Sequence, residues 1–237
     1  MILAINTIGA YCDIGLGFYT QTARGEKEEI AFRSEKIGRG HAEILPLQLA
    51  DLAEETQCNF QQLKTIIVNV GPGSFTGIRI GIALARSLAL VSKAQLQGIS
   101  QFQALAFYAQ SSDNSLGHKN IYIVLPASKE YFYIQLFSYN STLQAWEGAL
   151  PIQCLNTNDL LDFLRQKHKA LFVGASLKQF KEFCTTFHVN TLIIEDDHIP
   201  VPSFFQIAQQ HKGFLPPTPL YLRNAVGQTP ASRFFLV

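Results

Sequence analysis

The chain has 237 residues, of which 47% are hydrophobic and only 16% are charged, and its formal net charge is +1. This composition supplies a sizeable apolar core and excludes an intrinsically disordered protein. Because basic and acidic residues nearly cancel, the chain as a whole has no electrostatic attraction for nucleic acid or for an anionic membrane. Any contact with RNA would be local or shared with a partner.

The cysteines and the N-terminal sequence indicate a soluble cytoplasmic protein. The four cysteines are too widely spaced for a CxxC motif or a zinc site, and we interpret them as reduced, mostly buried thiols. The opening residues MILAINT lack the basic region and cleavage site of a signal peptide. The longest apolar stretch, residues 78–91, is interrupted by arginine, glycine and serine, so we expect no membrane segment.

The first hundred residues alternate between strand and helix patterns. In chain order, we predict strands at 1–6, 11–19 and 28–33, a helix at 41–55, a strand at 65–70 and a helix at 75–92. The three opening strands are separated by glycine-containing turns, which favours an antiparallel meander. The order over this part of the chain is therefore β-β-β-α-β-α.

The second half of the chain repeats a similar order. We predict a helix at 101–112, strands at 121–125, 131–139 and 143–154, a helix at 157–169, a strand at 171–173, a helix at 176–187, a strand at 191–194 and a helix at 203–211. This repetition predicts an α/β protein with two duplicated halves, each a mixed sheet flanked by helices. We assign the first lobe to residues 1–100, the second to 101–212, and a tail to 213–237 that packs back on the first lobe.

A glycine-rich turn joins the strand at 65–70 to the helix at 75–92. Its residues are Gly71, Pro72, Gly73 and Ser74. Such a turn could hold an anion on the helix N-terminal amides. It is not a P-loop, because no Gly-Lys-Ser/Thr follows at the required spacing. It is not a dinucleotide fingerprint, because the third glycine falls at Gly77, one position late, and residues 91–97 contain no acidic residue. The alternative is a structural turn in which Ser74 or Thr76 caps the helix.

Two helices carry more apolar or small residues than one buried face requires. Small residues recur every four positions along the helix at 75–92, and the helix at 41–55 has a leucine stripe with Ile44 and Leu47 beside it. Both patterns favour contact with a partner, although packing inside the chain's own fold is the alternative. The predicted partner-interface residues are His41, Ile44, Leu45, Leu49, Leu52, Gly77, Gly81, Ala85 and Ala89.

The sequence predicts no catalytic, cofactor-binding or metal-binding residues. His41 has no second histidine one turn later, where Leu45 stands, and the other histidines are scattered. There is no GxSxG motif, and no cysteine lies in a recognisable nucleophile pattern. We therefore predict neither a cofactor nor a metal.

Four segments together carry a resemblance to a known family. HAEILPLQLADL and NVGPGSFTGIRIGIALARSLAL, with MILAINT at the start and PLYLRNAV near the end, resemble the TsaB (YeaZ) family. The resemblance implies two lobes of the actin-like, Hsp70-like (ASKHA) superfamily. It also implies a non-catalytic activator that dimerises with TsaD, which transfers threonylcarbamoyl to the tRNA adenosine beside the anticodon. TsaE, an ATPase, would join the heterodimer, and tRNA would be reached only through the complex.

Two departures from this pattern favour a scaffold without ATPase chemistry of its own. Asn6 stands where the superfamily has a phosphate-loop aspartate, and Pro126, Ala127 and Ser128 stand where TsaB relatives read Asp-Ala-Arg. An asparagine cannot supply the negative charge that orients a metal-bound water or nucleotide. The alternatives are a glycoprotease-like peptidase or small-molecule kinase of the same fold, and a regulatory homodimer that uses the same helices.

Overall fold

The computed structural model divides into two compact units. It describes residues 1–22, 25–112, 120–140, 142, 145–167, 170–175, 180, 184–185, 188, 191–194, 199, 201–209 and 213–222. Unit 1 comprises Met1–Gln101 and Ile199–Leu220, and unit 2 comprises Phe102–His198 and Tyr221–Val237.

The described part of the chain alternates between groups of strands and single helices. In chain order they are β1 (Ile2–Asn6), β2 (Tyr11–Thr22), β3 (Gly25–Lys36), α1 (His41–Thr56), β4 (Thr65–Gly71), α2 (Phe75–Ser92), β5 (Gln95–Ser100), α3 (Gln101–Ser112), β6 (Ile121–Pro126), β7 (Tyr131–Asn140), β8 (Ala145–Gly148), β9 (Gln153–Asn156), α4 (Thr157–Gln166), β10 (Leu171–Ala175), β11 (Thr191–Ile194) and α5 (Pro202–Gln209). A single 3₁₀ turn at Phe60–Gln62 precedes β4.

Unit 1 is built on a five-stranded mixed sheet of order β3-β2-β1-β4-β5. The central strand β1 is antiparallel to β2 and parallel to β4, so Ile5 lies opposite both Ile14 and Val68. Because side chains alternate along a strand, these three residues share one face, and they form a buried core with α1 and α2. The sheet therefore presents its apolar face to these two helices.

The other face of the unit 1 sheet is covered by α5. Gly15 and Gly17 on β2 leave room for Val201 and Phe205, because a Cβ on either glycine would approach these side chains to less than 3.0 Å. Our prediction assigned residues up to 212 to the second lobe, whereas the structure groups Ile199–Leu220 with unit 1. That boundary is wrong because the apolar side chains of α5 are buried against the first sheet.

Unit 2 has a six-stranded sheet in which β11-β10-β6-β7-β8 form the main path and β9 also pairs with β7. Strand β6 is antiparallel to β7 and parallel to β10, as β1 is to β2 and β4 in unit 1. The helix α4 buries Leu160 and Leu164 in a core that includes Phe132 and Phe172. The equivalent strand patterns confirm two duplicated α/β lobes with mixed sheets.

Several predicted element bounds differ from the structure. Helices α2 and α3 occupy the predicted residues, and α1 extends one residue further. The predicted strand at 143–154 is wrong, because β8 and β9 are separate strands that both pair with β7. Strand β5 was not predicted. The predicted helix at 176–187 lies mostly outside the described residues, as does the tail beyond Leu222.

Candidate functional site

The glycine-rich turn is a tightly packed connection between β4 and α2. Gly71 has a φ of 110°, which favours glycine, and its amide donates to Asn69 Oδ1 at 3.1 Å. Ser74 caps α2, since its Oγ accepts from the Gly77 amide at 3.2 Å. A Cβ on Gly73 would collide with the side chain of Ile8. The structural interpretation of this turn is confirmed at Ser74.

The small residues of α2 face the chain's own sheet. A Cβ on Gly77 would lie closer than 3.0 Å to the Thr7 carbonyl oxygen, and one on Gly81 would also lie closer than 3.0 Å to Thr7 Oγ1. Thr7 Oγ1 also donates to the Gly77 carbonyl at 2.7 Å, so the turn after β1 is fastened to α2. Ala85 is fully buried in the same core. Assigning Gly77, Gly81 and Ala85 to a partner surface is therefore wrong.

The leucine stripe of α1 is also internal. Leu45 and Leu52 have no exposed surface, Leu49 is buried beside them, and all three belong to the unit 1 core. His41 is buried at the start of the helix, where its Nε2 lies 3.0 Å from the Tyr11 carbonyl oxygen. Assigning these four residues to a partner surface is wrong, since they contribute almost no accessible area. Ile44 and Ala89 are half-buried and pack against the core.

Different residues of the same two helices are exposed and apolar. We call them the outer surface, and they are Leu47 on α1 (61% exposed) with Phe75 (54%), Leu90 (83%) and Val91 (71%) on α2. Large exposed apolar side chains mark interaction sites where they adjoin one another, as Leu90 and Val91 do at the end of α2. Sequence periodicity singled out Leu47 as lying off the stripe but gave no reason to choose Phe75, Leu90 or Val91.

The exposed charges of the two helices differ in sign. Those on α1 are acidic: Glu43, Asp51, Glu54 and Glu55. Those on and just after α2 are basic: Arg79, Arg86 and Lys93. The Arg79 guanidinium lies 3.8 Å from the centre of the Phe75 ring, which is a cation–π distance. Electrostatic complementarity would favour a partner whose charges are opposite to those beside the exposed apolar side chains.

By length and composition, α2 is apolar enough to cross a membrane. One such helix is a weak indication, because the core helices of soluble proteins meet the same condition. In this fold α2 packs on the sheet through Ile78 and Ile82, both buried in the unit 1 core. Its large exposed apolar residues, Phe75, Leu90 and Val91, belong to the outer surface.

A buried polar cluster occupies the ends of β1 and β4 on the face of the sheet opposite α2. Asn6 Nδ2 donates to Asp13 Oδ2 at 3.0 Å, and Asn6 Oδ1 accepts from Asn69 Nδ2 at 3.1 Å and from the Ile8 amide at 3.3 Å. Asn69 Nδ2 also donates to Gln101 Oε1. The side-chain amide nitrogen and oxygen of Asn6 are therefore both hydrogen-bonded to neighbouring protein atoms.

Two titratable side chains, Asp13 and Cys12, lie beside this cluster on β2. Asp13 is fully buried, and its Oδ1 accepts from Ser34 Oγ at 2.6 Å. Burial, followed by the negative charges of Asp13 and Glu35, raises the pKa of the Cys12 thiol to about 12. A thiol with such a pKa is protonated at neutral pH and is a poor nucleophile. Among the described residues, no three His, Cys, Asp or Glu side chains are grouped to hold a metal ion.

The second turn that departs from the relatives is closed by backbone hydrogen bonds. Between β6 and β7, the amides of Ala127 and Ser128 both donate to the Tyr131 carbonyl oxygen, at 2.9 and 3.1 Å. The segment that begins at Pro126 is therefore a compact hairpin turn in unit 2. The amides of Ala127 and Ser128 are thus hydrogen-bonded within the turn.

Comparison with known proteins identifies relatives for most of the chain. The family described as TsaD, tRNA N6-adenosine threonylcarbamoyltransferase, matches residues 32–193. A tRNA threonylcarbamoyladenosine biosynthesis protein TsaB from Buchnera aphidicola subsp. Schizaphis graminum is 29% identical over 76% of this chain and 81% of its own length. The TsaB protein of Bacillus subtilis is 30% identical, but the match spans only about half of each chain, 52% of this one and 51% of the other.

Solved structures share the fold over nearly the whole chain. A Pseudomonas aeruginosa protein described as similar to peptidase YeaZ superposes with a TM-score of 0.70 at 19% identity, covering 94% of this chain and 99% of its own. A structure described as YeaZ from Pseudomonas aeruginosa gives a TM-score of 0.67 at 20% identity, with 93% and 99% coverage. At these identities the likeness establishes the two-lobed fold.

Proposed function

Since the chain belongs to the TsaD family of tRNA N6-adenosine threonylcarbamoyltransferases, we propose that within it this protein is a TsaB-type, non-catalytic subunit that binds TsaD and supports its reaction. The chain takes part in tRNA threonylcarbamoyladenosine biosynthesis, the process named for its TsaB relatives. TsaD would transfer threonylcarbamoyl to the adenosine beside the anticodon. This chain would stabilise the competent conformation of TsaD, which requires that it bind that conformation more tightly than others.

The observation that carries this proposal is the outer surface of α1 and α2. Leu90 is 83% exposed and Val91 is 71% exposed at the end of a helix whose other side is packed into the core. Burying such side chains against a partner is favourable by about 25 cal/mol per Å² of apolar surface. A helix pair from a related subunit would supply matching ridges and grooves. The basic residues of α2 favour an acidic partner surface.

Substituting lysine for Leu90 tests this surface directly. We expect Leu90→Lys to weaken TsaD binding about tenfold or more, because an ammonium group would be placed in a desolvated contact. Melting of the free chain should barely change, since Leu90 is 83% exposed. The measurements are calorimetric titration with TsaD from the same organism and reconstituted tRNA modification, beside thermal melting.

A matched control is Leu150→Lys, which changes the same residue type at an exposed position of unit 2. This variant should bind TsaD as the unmodified chain does. If Leu90→Lys binds TsaD with unchanged affinity, the outer surface is not the TsaD contact. Equal losses in both variants would likewise contradict the assignment.

The non-catalytic part of the proposal is supported by the closed turn after β1. Asn6 is hydrogen-bonded to Asp13, Asn69 and the Ile8 amide, and Thr7 is fastened to Gly77 of α2. A nucleotide would have to displace these buried contacts, and Asn6 offers no carboxylate to orient a metal-bound nucleotide or water. This arrangement disfavours the kinase alternative.

We accordingly expect the pure chain to bind ATP weakly or not at all. Calorimetric titration with Mg-ATP should give no saturable heat in the low-micromolar range. The physical reason is that the donors and acceptors of Asn6 and Asn69 already have buried protein partners. A reproducible one-to-one isotherm in that range would contradict the pseudo-enzyme assignment.

A second candidate, a regulatory homodimer, is favoured by the opposite charges of the two helices. Acidic α1 of one copy could face basic α2 of another, and twofold symmetry would make both contacts at once. Such a dimer would use the outer surface and would compete with TsaD. We propose that it forms when TsaD is absent, that TsaE joins only the heterodimer, and that the complex acts in the cytoplasm.

A further inference from the structure

Residues 213–220 form a strap along the β5 edge of the unit 1 sheet and the end of β4. Leu215 pairs with Gly98 of the edge strand β5, with the two amides donating to the opposite carbonyl oxygens at 2.8 and 2.9 Å. The Leu220 amide donates to the Val70 carbonyl oxygen at 2.8 Å, at the end of β4. The leucines at 215 and 220 are partly buried against the unit 1 core. The strap thus completes a sheet edge with residues from far along the chain.

Close approach of the strap depends on Gly98. A Cβ at this position would come closer than 3.0 Å to the Pro216 carbonyl oxygen and to Val70. The strap also contains three prolines, at 216, 217 and 219, which have no amide hydrogen to donate. Few backbone bonds therefore hold it, and each one accounts for a large share of its attachment.

One side chain of α2 is also tied to the strap. Arg86 Nη2 donates to the Pro217 carbonyl oxygen at 2.9 Å, and this bond is exposed to solvent. Arg86 lies on the exposed side of α2, one helical turn before Leu90 of the outer surface. The same guanidinium is thus available both to the strap and to a protein that covers α2.

We propose that Arg86 is an exchangeable tie: it holds the strap in the free chain, and a carboxylate of the TsaD surface takes it over in the complex, which loosens the strap. This inference rests on the proposed function, because it requires a partner on the outer surface. A carboxylate can accept two parallel hydrogen bonds from a guanidinium and carries the opposite charge, whereas the Pro217 carbonyl oxygen accepts one bond and carries no charge. The basic character of α2 favours a partner that presents a carboxylate.

The consequence is a coupling between partner binding and a distant part of the chain's sequence. Occupation of the outer surface would release the strap from α2 while leaving the backbone bonds at Leu215 and Leu220 in place. Their local opening would then become more frequent, which amide hydrogen exchange measures directly. TsaD binding and opening of the strap are coupled in both directions. In a chain that lacks the Arg86–Pro217 bond, TsaD binding would therefore change hydrogen exchange of the strap less.

Hydrogen exchange of peptides covering 213–220 tests the proposal with and without TsaD. We expect TsaD binding to speed exchange at Leu215 and Leu220 about fivefold, the order expected for loss of one ordinary hydrogen bond. Free Arg86→Gln should show the same faster exchange, and TsaD should add little to it. The matched control is Arg79→Gln, whose guanidinium lies over Phe75, and this variant should keep the strap protected.

Unchanged strap exchange in free Arg86→Gln would overturn the proposal, as would slower exchange when TsaD binds the unmodified chain. Binding of TsaD is measured independently by calorimetry in the same mixtures. If TsaD binds and the strap does not respond, the exchangeable tie is wrong while the proposed function stands. If TsaD does not bind at all, both are overturned.

Discussion

Gly77→Ala should lower the melting temperature of the isolated chain, although alanine is the better helix former. On helix propensity alone the change would stabilise α2 by about 1 kcal/mol. The new Cβ, however, would overlap the Thr7 carbonyl oxygen, and a backbone atom cannot rotate away as a side chain can. We expect a net loss of about 3 kcal/mol, which for a chain of this length is a decrease of roughly 6–12 °C.

The melting temperature of each variant is measured by circular dichroism, and Ser87→Ala is the control. Ser87 is exposed on the same helix, so its substitution changes propensity in the same direction without a clash. Gly81→Ala should cost less than Gly77→Ala, because its Cβ would meet the Thr7 hydroxyl rather than backbone. If Gly77→Ala melts at or above the temperature of the unmodified chain, α2 does not lie against the turn after β1.

Leu45→Ala and Leu47→Ala should have opposite consequences although they are two residues apart on α1. Leu45 has no exposed surface, so removing its side chain leaves a cavity in the unit 1 core and should cost about 3 kcal/mol of unfolding free energy. Leu47 is 61% exposed, and its substitution should change stability by no more than about 0.5 kcal/mol. Binding to TsaD should instead be weakened by Leu47→Ala.

Both variants are measured by urea unfolding and by calorimetric titration with TsaD. A large stability loss for Leu47→Ala, or none for Leu45→Ala, would show that α1 is rotated relative to the sheet. If Leu45→Ala weakened TsaD binding without lowering the unfolding free energy, the leucine stripe would after all belong to the partner surface.

Periodicity predicted the helices well but not the sides that face the core. Helix α2 begins at the predicted residue because Ser74 caps it directly after the glycine-rich turn. The small residues of α2 and the leucines of α1 were visible as stripes, yet a stripe does not specify whether it contacts the chain's own sheet or another protein. Thr7, which decides the matter, is distant in sequence from Gly77 and Gly81.

The polar cluster and the strap depend on contacts that local patterns do not contain. Asn6 was noticed as a departure from the superfamily, but its bonds to Asp13 and Asn69 follow from the strand register. Strand β5 was missed because QLQGIS is half polar and contains Gly98, the position at which the strap must approach. The placement of α5 in unit 1 was missed because chain order suggested the second lobe.

The composition of unit 1 from both ends of the chain has a consequence for folding during synthesis. Its strands β1–β5 leave the ribosome first, but α5 and residues 213–220 are translated only after the central segment of unit 2. Until then the groove at Gly15 and Gly17 is uncovered, and the β5 edge lacks the partner that it has in the finished fold. Exposed apolar surface and unpaired edges are what chaperones protect in nascent chains. The lobe whose strands are translated first is therefore completed only after most of the second lobe has been translated.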